Sequence, residues 1–173
     1  MILGLTGTLG AGKSSLAEML KAYEYHQYVM SDILREELKK RGREETRDNM
    51  LNLGNEWRAQ FGQGVIIDKI IEKARKEKKQ KILIDGLRTL GEIEAIKKHK
   101  GKVIGIDASL KIRYERIKKR GTSKDEITFE KFQEQEKNEN LKACIKNADY
   151  VIFCDGNLEA LKKEAEKMMR EIA

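Results

Sequence analysis

Apolar residues fall in five short runs, at 2–6, 28–30, 81–85, 102–107 and 150–154, and between the runs they recur every three or four positions. The runs predict strands and the intervening spacing predicts helices, because side chains alternate across a strand but return to one helix face about every 3.6 residues. Strands alternating with helices predict a parallel sheet wrapped by helices. The clearest helix closes the chain, where Leu158, Leu161, Ala165, Met168 and Ile172 step by three and four behind Asn157, a residue suited to an N-cap. Two segments break the alternation. Residues 31–80 are too long for a plain crossover and predict a helical insertion of three helices, with Asp32, Arg35, Arg47, Asn52, Asn55 and Arg58 as its polar groups. Residues 121–142 are highly charged and predict a short, mobile lid. With no repeat or Ser/Pro-rich linker, the chain is expected to be one α/β domain whose core is 1–30, 81–120 and 143–173.

The first strand run leads directly into Gly7-Thr8-Leu9-Gly10-Ala11-Gly12-Lys13-Ser14, a full match to G-x-x-x-x-G-K-[ST]. Backbone N–H groups wrap a triphosphate only where side chains are absent, which gives the glycines their purpose. Lys13 is placed to reach the β- and γ-phosphates and the Ser14 hydroxyl to ligate Mg²⁺. Leu16, Met19 and Leu20 follow at helical spacing, so the setting is strand, loop, helix, and the dipole of that helix aims at the same anion.

Further along, Ile82-Leu83-Ile84 ends in Asp85, an acid placed to hold the hydration shell of Mg²⁺ together with Ser14. Arg88 lies three residues beyond it, within reach of phosphates. Arg116 and Arg120 are one helical turn apart and project from one face, where guanidinium groups can neutralise charge spread over a transferring phosphoryl group. Asp107 is expected as a turn or cap residue, Trp57 as a packing residue, and His26 and His99 as isolated surface histidines.

Charge and composition narrow the partners. Charged residues make up 38% of the 173 and interleave both signs, which suits solvated helix faces, and the net charge of +7 suits polyphosphates and nucleic acid alike. No stretch approaches the roughly 20 apolar residues of a membrane span, and no signal peptide is recognised, so a cytoplasmic protein is expected. Cys144 and Cys154 lie in no metal-ligand spacing and are expected as free thiols.

In this order, the phosphate loop, Met30-Ser31-Asp32-Ile33-Leu34-Arg35, Ile84-Asp85-Gly86-Leu87-Arg88 and Arg116-Ile117-Lys118-Lys119-Arg120 resemble the nucleoside monophosphate kinase family over nearly the whole chain. The resemblance extends to adenylate-kinase-like and dephospho-CoA-kinase-like archaeal proteins. It implies a P-loop NTPase three-layer sandwich with a five-stranded parallel sheet of order 2-3-1-4-5. It implies ATP held by Gly7, Thr8, Leu9, Gly10, Ala11, Gly12, Lys13, Ser14 and Ser15, with Arg116 against the adenine, Arg120 on the phosphates, and the loop at Gly156 and Asn157 against the purine. Asp32, Arg35, Arg58 and Arg88 would form the acceptor side. Lys13, Arg88 and Arg120 would stabilise the transferring phosphoryl group, with Mg²⁺ on Ser14 and Asp85.

The sequence departs from the family in three places. Asp85-Gly86-Leu87-Arg88 is one residue shorter than the adenylate kinase counterpart. The lid carries Gln133, Gln135 and Lys137 where relatives tend to place arginine, leaving Lys124, Lys131 or Lys137 to supply charge. The Asp-Ala-Asp signature of bacterial dephospho-CoA kinases is missing, so only Asp32 stands near that place. The expectation is an ATP- and Mg²⁺-dependent kinase, monomer or homodimer, acting on a nucleoside monophosphate. The alternatives are phosphorylation of the 3′-hydroxyl of dephospho-CoA, with Asp32 as the catalytic base, and a nucleotide-binding ATPase acting on RNA or a protein partner.

Overall fold

The computed structural model describes residues 1–121, 128–137 and 140–172, with side chains at 135–137 excepted. Its five strands are β1 Ile2–Gly7, β2 His26–Val29, β3 Ile82–Leu87, β4 Lys102–Asp107 and β5 Tyr150–Phe153. They pair side by side in the order β2-β3-β1-β4-β5, every neighbouring pair parallel, as the resemblance implied.

Alternation along β3 sorts the core into two layers. Ile82 and Ile84 belong to one buried cluster and Leu83 to the other, so the clusters lie on opposite faces of the sheet. The first layer is covered by α2 (Met30–Lys40), α3 (Arg47–Phe61), α4 (Val65–Lys76) and α5 (Leu90–Lys98). The second is covered by α1 (Lys13–Lys21) and α9 (Leu158–Ile172). The insertion is thus three helices, as expected, and α4 carries the heaviest apolar face: Val65, Ile66, Ile67, Ile70, Ile71 and Ala74 are all buried. Trp57 is buried in this layer with the Lys69 ammonium over its ring, a packing residue.

The second and third strands differ from their expected bounds. β2 starts at His26 and ends where α2 begins at Met30. Its first half is polar, and an edge strand needs only one line of hydrogen bonds, here His26 to the Lys81 carbonyl and onward along β3. β3 does not stop at Asp85 but continues to Leu87 through a bulge, where Leu5 opposes Asp85 and Thr6 opposes Leu87. Gly86, at φ 104°, supplies the left-handed backbone the bulge requires, and the Thr6 hydroxyl closes it by donating to the Leu87 carbonyl at 2.9 Å.

Other expectations are corrected by packing. Leu158 opens α9 but is exposed, and Met169 takes its place in the buried stripe. Asn157 does cap this helix, its side-chain oxygen accepting from Ala160 N. His99 is not isolated: α4 and α5 pack together and put Asp68 Oδ1 2.6 Å from its Nε2. Within the expected lid, the described part includes α7 (Phe129–Lys137), and its Phe132 is fully buried against Tyr114 of α6 (Leu110–Arg120). This helix is therefore anchored. The following α8 (Leu141–Lys146) packs on β1 and β4. Lys124 and the side chain of Lys137 lie outside the described residues, while Lys131 is exposed. Cys144 and Cys154 are free and buried, and among the described residues no helix is long and apolar enough to cross a membrane.

Candidate functional site

The phosphate-loop motif spans the C-terminal end of β1 and the start of α1, at the edge of the sheet where parallel α/β folds place ligands. Gly12 caps α1 at φ 108° with no side-chain hydrogen bond, and the first turn holds no acid. The leading N–H groups of α1 thus face outward without a capping side chain, the arrangement that attracts an anion. Gly10 is required for a second reason: at φ 80°, a Cβ there would lie 2.6 Å from the Arg113 carbonyl oxygen of α6. The Lys13 ammonium bends back over the loop and donates to the carbonyls of Gly7 at 2.5 Å and Thr8 at 2.9 Å.

A cavity of about 350 Å³ opens beside the loop, lined on one side by Leu9, Gly10, Gly12, Lys13, Ser14 and Ser15 and on the other by Arg116, Ile117 and Arg120 of α6. The two arginines and the loop, distant in sequence, share this one space. Arg120 is exposed on its rim. Arg116 is braced by carbonyls, donating to Gly156 at 2.7 Å, Cys154 at 3.0 Å and Ala11 at 3.4 Å. It thereby joins the loop after β5, where Gly156 and Asn157 were expected to matter, to the phosphate loop.

Behind the loop stands a network that sequence reasoning missed. Asp107 Oδ1 accepts from the Thr8 hydroxyl at 2.6 Å and from Ala108 N at 2.9 Å. Arg113, only 4% exposed, lies 3.5 Å from Asp107 and donates to the carbonyls of Ala108 at 2.9 Å and Leu9 at 3.2 Å. Its guanidinium also faces the Phe132 ring of α7. Asp107 is a turn residue as expected, but its second lone-pair partner, Thr8, is set only by the pairing of β1 with β4.

Asp85 lies across the loop at the bulge of β3. Its Oδ2 accepts from Gln27 Nε2 of β2 at 2.9 Å. Burial pushes its carboxyl above the ordinary aspartate value, against the opposing pull of the Gln27 hydrogen bond and the Lys13 and Arg88 charges. Ser14 stands at the helix start and Asp85 feels the Lys13 charge, and each offers a hard oxygen of the kind Mg²⁺ accepts. Among the described residues no group of three or more His, Cys, Asp or Glu converges as a metal cage.

The residues expected on the acceptor side do not line this cavity. Arg35 Nη1 donates to Asp32 Oδ1 at 2.5 Å and to the Ser31 hydroxyl at 2.9 Å on α2. Asp32 shares a 170 Å³ depression with Gln27, which in turn touches Asp85. Arg88 is exposed at the end of β3, and its backbone N–H donates to Glu92 Oε2 at 2.8 Å. Arg58 Nη2 lies 3.0 Å from Glu92 Oε1. Glu92, 1% exposed, was also missed, although Thr89-Leu90-Gly91-Glu92 spells the [ST]-x-x-[DE] capping-box pattern that the structure realises at the start of α5.

Comparison with known proteins places this geometry. The AAA domain family matches residues 3–142. A UPF0200 protein of Methanocaldococcus jannaschii is 35% identical over 99% of this chain and 90% of its own length. Among solved structures, a shikimate kinase from Bacteroides thetaiotaomicron aligns with a TM-score of 0.62 at 10% identity, covering 99% of this chain and 98% of its own. A dephospho-CoA kinase from Campylobacter jejuni aligns with a TM-score of 0.57 at 17% identity, covering 99% and 97%. At such identities the likeness is one of fold, and that fold is the P-loop kinase-like α/β sandwich.

Proposed function

The chain belongs to the UPF0200 family and matches the AAA domain family over residues 3–142, and from its site we propose that it is an ATP- and Mg²⁺-dependent kinase for a nucleoside monophosphate. The observation that carries the reading is the shared cavity: an uncapped helix start with Lys13 on one wall and Arg116 and Arg120 on the other, a donor site with cations on both sides of a polyphosphate. Arginines opposite a phosphate loop serve hydrolysis by water as well, so the kinase reading leans on a second group of cations beyond this cavity. Here Arg88 acts together with Lys13 on the Asp85 carboxyl, and Gln27 links Asp85 to the depression that holds Asp32, the partner of Arg35.

In this reaction an acceptor phosphate oxygen attacks the γ-phosphorus and the bond to the β,γ-bridging oxygen breaks, so that ADP leaves with that electron pair. Lys13, Arg88 and Arg120 would stabilise the spreading negative charge, while Arg35 and Arg88 orient the acceptor. Mg²⁺, held through Ser14 and Asp85, would neutralise the β- and γ-oxygens. A phosphate nucleophile is already ionised and needs no base. The dephospho-CoA reading does need one, and the pairing of Asp32 with Arg35 counts against Asp32 in that role.

ADP release should rise with one member of a panel of AMP, CMP, UMP, dCMP, dTMP and dephospho-CoA. Asp32→Asn should then weaken that acceptor's KM and leave kcat within about threefold, since the carboxylate positions Arg35 without moving a proton. Loss of kcat instead would favour the hydroxyl acceptor. If only RNA raises ATP turnover, the kinase reading fails.

Asp85→Asn should split activity from stability. In the folded chain the Asp85 pKa is raised, so between its unfolded and folded values the native state holds more protons and stability falls as pH rises through that window. Above the window the buried charge is a standing cost that asparagine removes, while its side-chain oxygen still accepts from Gln27. At neutral pH the nucleotide-free variant should therefore melt higher than wild type, and when supplied with ATP and Mg²⁺ it should turn ATP over about 100-fold more slowly. A lower melting temperature would contradict the account of Asp85.

A further inference from the structure

We propose that Glu92 is a positioning residue that couples helix α3 to the Arg88 loop through Arg58. Glu92 is 1% exposed, and both of its carboxylate oxygens are engaged. Oε2 accepts from Arg88 N at 2.8 Å and Thr89 N at 3.1 Å, and Oε1 faces Arg58 Nη2 at 3.0 Å. A capping box asks only for an acceptor on the N-cap N–H, which a neutral glutamine provides as well. Burying a full negative charge here exceeds what the helix start needs, and the excess is matched by a cation from another element.

That cation is held by this contact. Arg58 Nε is buried without a hydrogen-bond partner, so the guanidinium is aligned to Glu92 at the expense of its Nε donor. Gly54, one turn earlier, permits the pose: a Cβ there would lie 3.0 Å from Arg58 Nη1. Glu92 therefore grips the backbone of Arg88 with one oxygen and α3 with the other. Displacement of α3 by an acceptor moves Arg58, and through Glu92 the N–H that fixes where the Arg88 side chain starts. The coupling rests on the reading of Arg88 as an acceptor-phosphate ligand, and it makes Arg58 act on the acceptor at one remove.

The test compares Glu92→Gln, Arg58→Met and the double variant, using whichever of AMP, CMP or dephospho-CoA wild type turns over fastest. Each single variant should raise acceptor KM by about tenfold, the range of ordinary site coupling, with ATP KM within about twofold of wild type. The double variant should be no worse than Glu92→Gln alone, because both changes break one link. Without any substrate, the Arg88 and Thr89 amides should exchange hydrogen faster in Arg58→Met than in wild type. A role confined to capping predicts that Arg58→Met leaves acceptor KM and both amides unchanged, and that result would overturn the coupling. Should wild type turn over no acceptor, the kinase reading fails on its own, and the amide exchange in Arg58→Met still decides the link.

Discussion

Lys13→Ala is expected to lower ATP turnover by about 100- to 1,000-fold, the usual loss when a preorganised charge at a reacting phosphate is removed. Lys13 Nζ is bonded to the carbonyls of Gly7 and Thr8, across the mouth of a helix whose N-terminus carries neither a capping side chain nor an acid. It can swing from those carbonyls to a phosphate, and Lys13 is itself only half-buried. The melting temperature should therefore stay within about 2 °C of wild type, as for other half-exposed changes. Coupled ADP-release kinetics and a thermal melt on the same preparation check both halves. Retained turnover would remove the loop from the chemistry.

Arg113→Met should do the reverse and act on stability first. Methionine keeps the volume and discards the charge. The change strips partners from the Leu9 and Ala108 carbonyls and leaves half-buried Asp107 without its cation. Breaking such a pair costs about 3 kcal/mol, equivalent to about 9 °C in a domain of this size. Phe132 loses the guanidinium it faces, so α7 should loosen as well. ATP affinity should fall because Thr8 and Gly10 rest on this network. A melt unchanged from wild type would show that Asp107 is satisfied by Thr8 and Ala108 N alone.

These two residues differ in how visible they are. Lys13 is announced by its neighbours in sequence, since the loop that uses it is eight residues long and local. Arg113 is one more arginine on a basic helix until β4 is laid beside β1 and α6 is brought against Gly10. Glu92 is intermediate. Its capping box is written in four residues, but its pairing with Arg58 joins positions 34 apart. Gln27 carries no local signal at all, and it reaches Asp85 only because β2 pairs with β3 in that register.

The chain by itself determined the alternation of strands and helices, the three-helix insertion, the phosphate loop and the arginines one turn apart on α6. All of these are repeats or motifs within a few residues, governed by backbone geometry and helical period. Tertiary structure alone decided that Leu158 is exposed, that α7 is anchored through Phe132, that His99 meets Asp68, and that Arg58 is tied to a buried carboxylate. Each of those depends on which surface a second element covers. Side-chain burial and ion pairing are set by contacts across the fold, and a local pattern carries no record of its partner.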